Sequence, residues 1–172
     1  MAKLPSHEQT LILLKPDTVQ RGIVGEILSR LERTGLKIVA MKMVWVDKEH
    51  AARHYHDLKE RLGEPVFSRT VGMITEAPVI AIVLEGHHAT EVVRKIVGAT
   101  FPRNAAPGTI RGDFAHISWN TYNLIHASGN KKEAELEIPI WFTPEEIHSY
   151  AKNDDRHVIA MTEEDEGLRP IE

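Results

Sequence analysis

Short apolar runs of β-strand type alternate along this chain with segments that have the periodicity of an amphipathic helix. Strand-like runs occupy residues 9–15, 36–46 and 79–84, and the third is rich in Val and Ile, as in a central strand. Apolar residues recur at helical spacing in segments 18–34 and 87–98, which gives each segment one apolar face. The alternation predicts an α/β chain whose helices cover a sheet.

Capping residues and turn formers predict further helices. Asp47 is suited to cap a helix over residues 48–61, and Thr143 followed by Pro144 is suited to open another near the end of the chain. A third helix is predicted over residues 66–75. Segment 100–108 is a long proline-containing loop, and loops of this length are often functional or interfacial.

Two histidines lie one helical turn apart on the predicted helix 48–61. The i and i+4 spacing of His50 and His54 is compatible with a pair of metal ligands. No third ligand follows at a suggestive spacing, so we expect these side chains to lie on a solvated face of the helix.

Composition bounds the class of protein. The chain has 172 residues, of which 42% are hydrophobic and 27% charged, and this fits a single globular domain over residues 1–172. The tail from Asn153 is acidic and weakly patterned. We assign it no chemistry, only subunit contacts or disorder.

Charge and cysteine usage exclude several functions. A net charge of −4 gives no reason to expect general nucleic-acid binding. The absence of cysteine excludes a disulfide framework and thiolate chemistry. The longest apolar run, residues 79–84, is too short to span a membrane, and residues 1–10 contain no apolar signal region. We therefore expect a cytoplasmic protein without membrane contacts.

Residues 107–114 read Pro-Gly-Thr-Ile-Arg-Gly-Asp-Phe and place Arg111 between two glycines. Glycines allow the backbone to approach a ligand closely, and a guanidinium presents a planar fork of donors to phosphate. The alternative is an ordinary turn with a surface arginine. This motif alone does not decide between them.

His126 follows the apolar pair Leu124 and Ile125. We interpret this segment as a strand that passes into a short helix over residues 130–137, capped by Ser128 or Asn130. A helix N-terminus presents unpaired N–H groups and suits an anion such as phosphate. Taken alone, the same pattern also fits a histidine that packs in the core or against the cap.

Together these motifs resemble those of the nucleoside diphosphate kinase family. The resemblance covers roughly residues 9–150 and rests on Leu14-Lys15-Pro16-Asp17, Gln20-Arg21-Gly22, residues 107–114, Asn123 to Ser128, and Glu137 before Trp141-Phe142. It implies an α+β sandwich, with a ferredoxin-like four-stranded antiparallel sheet of βαββαβ topology covered by helices. The sequence contains neither a P-loop nor a dinucleotide-binding fingerprint.

The resemblance implies a phosphotransferase. The terminal phosphoryl group of ATP or another nucleoside triphosphate would pass to a nucleoside diphosphate by a ping-pong mechanism, through a phosphohistidine on His126. Mg²⁺ would be held mainly by the nucleotide phosphates, without a direct protein ligand. The resemblance and the long loop 100–108 together imply a homo-oligomer, either a hexamer or a tetramer.

The resemblance also assigns roles to side chains. Glu137 would orient His126, and Lys15 would be catalytic as well as nucleotide-binding. The nucleotide would be bound by Lys15, Tyr55, Val66, Arg94, Thr100, Arg111 and Asn123. Lys15, Arg94 and Arg111 match the phosphate ligands. Two positions depart from the family pattern: Val66, beside Phe67, stands where a stacking Phe is usual, and Gly129 replaces a common acidic residue.

The alternative is a nucleotide-binding regulatory module on the same scaffold without turnover. Such a module would keep Lys15 and Arg111 but would not need His126 together with Glu137. The presence of all four in this sequence favours the enzyme.

Overall fold

The computed structural model describes residues 7–117 and 121–153. In this part of the chain, one sheet is formed by β1 (His7–Leu14), β2 (Lys37–Val44), β3 (Val79–His87) and β4 (Ile125–Ala127). Its order is β2-β3-β1-β4, and every neighbouring pair is antiparallel. This is the ferredoxin-like order, so the predicted fold class is confirmed.

Helices connect the strands and cover the sheet. They are α1 (Pro16–Gln20), α2 (Val24–Glu32), α3 (Lys48–His54), α4 (Leu58–Leu62), α5 (Glu64–Ile74), α6 (Ala89–Val97), α7 (Ile110–Phe114) and α8 (Lys131–Trp141). Two short 3₁₀ turns, Pro102–Asn104 and Pro144–Glu146, complete the described elements. None of the helices in the described ranges is long and apolar enough to cross a membrane.

Both faces of the sheet are buried, and successive residues of β1 point to opposite faces. Leu11 and Leu13 belong to a first core that includes residues of α3, α5 and α8. Ile12 and Leu14 belong to a second core that includes residues of α2 and α6. Each fully buried side chain of this size stabilises the fold by about 1.5–3 kcal/mol. The sheet therefore holds the side chains of its strands in fixed positions.

Two predicted helices are divided. The predicted helix 18–34 is broken after α1 by Gly22, whose φ of 69° lies in the left-handed region that favours glycine. The predicted helix 48–61 is broken after α3, because Tyr55 leaves helical geometry with a ψ of 26°. The chain then starts again as α4, which leaves Tyr55 at the end of a helix.

The predicted caps are found. Asp47 accepts a hydrogen bond from the His50 amide at 2.8 Å. Of the two candidates before α8, Asn130 is the cap, because its side chain accepts from the Glu133 amide at 3.0 Å. The helix continues past residue 137 to Trp141. Thr143 caps only a 3₁₀ turn.

Two predicted segments fall wholly or partly outside the described residues. They are the segment that leads to His126, of which residues 118–120 are not described, and the acidic tail, which is not described after Asn153. The interpretation of residues 1–172 as one domain stays a prediction.

Candidate active site

His126 is the middle residue of β4 and pairs with Leu13 of β1. Its neighbours Ile125 and Ala127 are part of the second core. Because side chains alternate across a strand, the imidazole lies on the opposite face, towards α3 and α8. The register of β4 against β1 therefore determines which groups surround the imidazole.

Glu137 of α8 contacts the imidazole at Nε2. Its Oε1 lies 3.0 Å from Nε2 of His126, although the N–H direction is not aligned for a hydrogen bond in this structure. Its Oε2 accepts a hydrogen bond from the Ser128 hydroxyl at 2.5 Å. Nε2 is buried against the carboxylate, so Nδ1 is the ring nitrogen that a ligand can reach.

Lys15 is a buried amine at the C-terminal end of β1. Its Nζ donates to the carbonyl oxygen of Thr121 at 2.7 Å and to Oδ1 of Asn123 at 2.6 Å. Burial lowers the pKa of this amine to about 7, Asp17 opposes that shift, and the charge of Arg111 adds to it. An anion that entered the site would restore the positive charge.

Arg111 is only 5% exposed and is bonded to backbone carbonyls. Its guanidinium donates to the carbonyl oxygens of Asn123 at 3.2 Å, Gly98 at 3.0 Å and Ile125 at 2.5 Å. Burial lowers the pKa of Arg111 to about 10, and the nearby charge of Arg94 adds to that effect. Arg111 thus ties the end of α6 to the start of β4 and retains two N–H groups for a ligand.

The loop before α7 needs a glycine at position 112. The Thr109 hydroxyl accepts from the Gly112 amide at 3.1 Å and donates to the Ala106 carbonyl oxygen at 2.6 Å. A Cβ at Gly112 would overlap that same carbonyl oxygen. The tight turn sets the direction of α7 and therefore the position of Arg111.

Leu124 adopts a left-handed backbone conformation, with φ at 72°, which costs a non-glycine residue about 1–2 kcal/mol. Its amide donates to Oδ2 of Asp17 at 3.0 Å. Its carbonyl oxygen accepts from the Lys15 amide at 2.8 Å and from the Thr18 hydroxyl at 2.6 Å. The start of α1 thus holds the backbone two residues before His126.

Comparisons with known proteins agree with this geometry. The family model described as nucleoside diphosphate kinase matches residues 8–147. The chain belongs to the nucleoside diphosphate kinase family. The nucleoside diphosphate kinase of Pyrococcus furiosus is 54% identical over 146 residues, which cover 84% of this chain and 89% of that protein.

Solved structures of nucleoside diphosphate kinases have the same fold. A transition-state mimic of the Borrelia burgdorferi enzyme with bound vanadate and ADP has a TM-score of 0.84 and 45% identity, and the match covers 87% of this chain and 95% of that one. The Halobacterium salinarum enzyme in complex with CDP has a TM-score of 0.82 and 41% identity, over 89% and 99% of the two chains. The predicted family and the predicted class, a phosphotransferase enzyme, are confirmed, and the module without turnover is not favoured.

The remaining residues of the nucleoside diphosphate kinase resemblance lie on several elements. The Tyr55 ring centre is 6.2 Å from that of His126, and burial, followed by the charge of Glu137, raises the pKa of its hydroxyl. The Thr100 carbonyl oxygen accepts from Nδ2 of Asn123 at 2.8 Å. Arg94 lies exposed on α6 and Val66 exposed on α5, while Phe67 packs against the first core.

The prediction that His54 lies on a solvated helix face is wrong. His54 is 3% exposed, and its ring centre lies 4.5 Å from that of His126 at an interplanar angle of 83°. Its Nδ1 accepts a hydrogen bond from Nε1 of Trp141 at 3.2 Å. The available sequence signal was Ala51, an apolar residue three positions earlier and therefore on the same helix face. Asp17 and Thr18 received no role from the sequence, and Ser128 was considered only as a helix cap.

Proposed function

We propose that this chain moves the terminal phosphoryl group of a nucleoside triphosphate to a nucleoside diphosphate, with His126 as the carrier. The observation that carries the proposal is the imidazole with Nε2 buried against Glu137 and Nδ1 left accessible. The similar Borrelia burgdorferi enzyme binds vanadate and ADP as a transition-state mimic. A covalent carrier allows one site to serve both nucleotides in turn.

The chemical step balances with the groups present. The lone pair of Nδ1 attacks the terminal phosphorus, and the bond from phosphorus to the bridging oxygen breaks, which releases the nucleoside diphosphate. The proton on Nε2 stays there and faces the Glu137 carboxylate, which stabilises the charge that develops on the ring. The second half-reaction reverses these events with another nucleoside diphosphate as acceptor.

Basic side chains stabilise the charge on the transferring group. We assign the phosphates to Lys15, Arg94 and the two unused N–H groups of Arg111. The hydroxyl of Thr100 donates to the phosphates, and Asn123 contacts the ribose. We assign the base to the surface that includes Tyr55 and Val66.

The nucleoside diphosphate kinase family generally uses a divalent metal ion, and we propose Mg²⁺. Bound with the nucleotide, the ion would neutralise phosphate charge. The carboxylates beside the site are already engaged, Asp17 by the Leu124 amide and Glu137 by Ser128 and His126. This arrangement fits an ion held by phosphate oxygens and water, without a direct protein ligand.

We also propose that the chain forms a homo-oligomer, a hexamer or a tetramer. Strand β2 is an edge of the sheet, and Met41, Met43 and Trp45, on and just after it, are more than half exposed. An exposed apolar edge strand favours association with another chain. Phe101, in the loop 100–108, is a further apolar side chain that is half exposed. The cytoplasmic location stays a prediction.

Incubation with γ-labelled ATP and Mg²⁺ tests the phosphoryl transfer. We expect a labelled protein whose label survives base and is lost in acid, as a phosphohistidine requires. The variant His126→Ala should take up no label, whereas His116→Ala should label normally. Equal labelling of His126→Ala would overturn the assignment of the carrier.

A further inference from the structure

Helix α3 brings a second histidine to the carrier ring. His54 stands edge-on to His126, with ring centres 4.5 Å apart at 83°. A ring nitrogen of each histidine and a carboxylate oxygen of Glu137 lie within 4.8 Å of one another. None of the roles assigned above uses His54.

Trp141 determines which nitrogen of His54 carries the proton. An indole N–H can only donate, so the bond from Nε1 of Trp141 to Nδ1 of His54 at 3.2 Å makes Nδ1 the acceptor. A neutral His54 therefore carries its proton on Nε2. That atom is buried and has no hydrogen-bond partner among the residues that the structure describes.

His54 stays neutral because it is buried. Burial lowers the pKa of its ring well below the usual value, and the neighbouring histidines act in the same direction. The titratable groups that face this ring are His126, Glu137, Tyr55, His50 and His56. A neutral ring beside His126 leaves Glu137 as the charged group next to the carrier.

Two histidines and a glutamate also have the composition of a metal site. A metal ion binds the lone pair of an imidazole nitrogen whose partner nitrogen carries the proton. Here the Trp141 N–H occupies the Nδ1 lone pair of His54, and Nε2 carries the proton. The tautomer leaves no lone pair for an ion, so the cluster is not suited to a metal.

We propose that His54 is a positioning residue: its ring, oriented by Trp141, blocks the half-turn of the His126 imidazole about its Cβ–Cγ bond. That half-turn exchanges Nδ1 with Cδ2 and Nε2 with Cε1, so Cε1 would face Glu137 and Nε2 would move to the edge of the ring that a phosphate can reach. His54 stands on one side of the ring and Tyr55 on another. The inference rests on the proposed role of His126 as carrier.

The variant His54→Asn tests this, because the amide oxygen can still accept from Trp141 while the ring is lost. We expect kcat to fall about a hundredfold with KM changed less than threefold. Nitrogen NMR of the ¹⁵N-labelled protein should show one His126 tautomer in the parent and a mixture in the variant. The phosphorylated variant should contain phosphohistidine at both ring nitrogens.

His50→Asn is the matched control. His50 lies one turn earlier on α3, and its ring contacts Trp141 with centres 4.5 Å apart. Loss of His50 should leave the His126 tautomer and kcat unchanged. If His54→Asn does not fold, His54→Phe keeps the ring and Trp141→Phe removes the indole donor. We expect Trp141→Phe to give a mixture of tautomers.

The outcomes distinguish a failure of the positioning role of His54 from a failure of the proposed function. A single His126 tautomer and a single phosphohistidine isomer in His54→Asn, or in Trp141→Phe where His54→Asn does not fold, would overturn the positioning role, whatever the loss of kcat. The tautomer is measured in the protein without nucleotide. A parent protein that shows one tautomer but takes up no phosphate would contradict the proposed function instead.

Discussion

The side-chain amine of Lys15 lies 2.6 Å from Oδ1 of Asn123. Both side chains are buried, and burial is the largest cause of the low pKa of Lys15, about 7. The amine is therefore largely neutral at pH 8 in the free protein. Bound phosphates favour the charged amine and raise its pKa.

We therefore predict that the protein takes up protons when it binds MgADP at pH 8. Affinity should fall as pH rises above 7, because each binding event must then also protonate Lys15. Calorimetry in buffers of different ionisation enthalpy measures the number of protons. Lys15→Met should abolish the uptake, and an equal uptake in that variant would assign the protons to another group.

The variant Lys15→Met also distinguishes catalysis from binding. If Lys15 stabilises the charge of the transition state, kcat should fall about a hundredfold and KM should change little. Steady-state kinetics with varied nucleoside diphosphate gives both constants. A change in KM alone would make Lys15 a binding residue.

Arg111 is expected to matter for stability as well as for catalysis. The substitution Arg111→Lys leaves the carbonyls of Gly98, Asn123 and Ile125 without the three donors of the guanidinium fork. We expect a loss of about 3 kcal/mol in the free energy of unfolding, measured with urea.

The control for Arg111→Lys is Arg94→Lys. Arg94 is exposed on α6, so the loss of its guanidinium should change the free energy of unfolding by less than about 0.5 kcal/mol. Equal destabilisation by both substitutions would show that the bonds of Arg111 to the backbone do not contribute to the free energy of unfolding.

Glu137 is expected to act on the first half-reaction. Glu137→Gln replaces the charge beside Nε2 of His126 with a neutral amide, so the positive charge on the ring is less stabilised during attack. Rapid-quench measurement of the phosphoenzyme should show formation slowed about a hundredfold. Glu135→Gln, on the exposed side of the same helix, should keep the parent rate; similar slowing in both variants would count against the assignment.

The exposed edge of the sheet predicts the behaviour of the protein in solution. Light scattering at micromolar concentration should give a mass that is an even multiple of the single chain. Met43→Lys places a charge on β2 and should lower that mass, while Leu136→Lys, at an exposed position of α8, should not. A single-chain mass for the parent protein would contradict the proposed oligomer. A lower mass after substitution of Pro102 would assign the loop 100–108 to the interface as well.

Local patterns in the sequence predicted the sheet and most caps. The short apolar run of β1 and the cap at Asp47 depend on neighbours a few positions away, and both are found. The breaks after α1 and α3 were missed, because Gly22 and Tyr55 each leave the helix through a single backbone angle. A periodicity averaged over a window does not register such a change.

The surroundings of His126 depend on contacts between distant residues. Asp17 binds the Leu124 amide across 107 positions, and Trp141 binds His54 across 87. No local spacing encodes such pairs, so the sequence identified His126 and Glu137 through resemblance but left the residues that orient them unassigned. His54 was predicted to lie on a solvated face because no third metal ligand followed at a suggestive spacing.

The bonds that Asp17, Lys15 and Thr18 make to the Leu124 backbone fix the start of β4. The register of β4 is fixed by its pairing with β1 and by the bonds from Asp17, Lys15 and Thr18. The position of the imidazole is therefore determined by β1 and the start of α1, because none of these bonds comes from the segment that leads into β4.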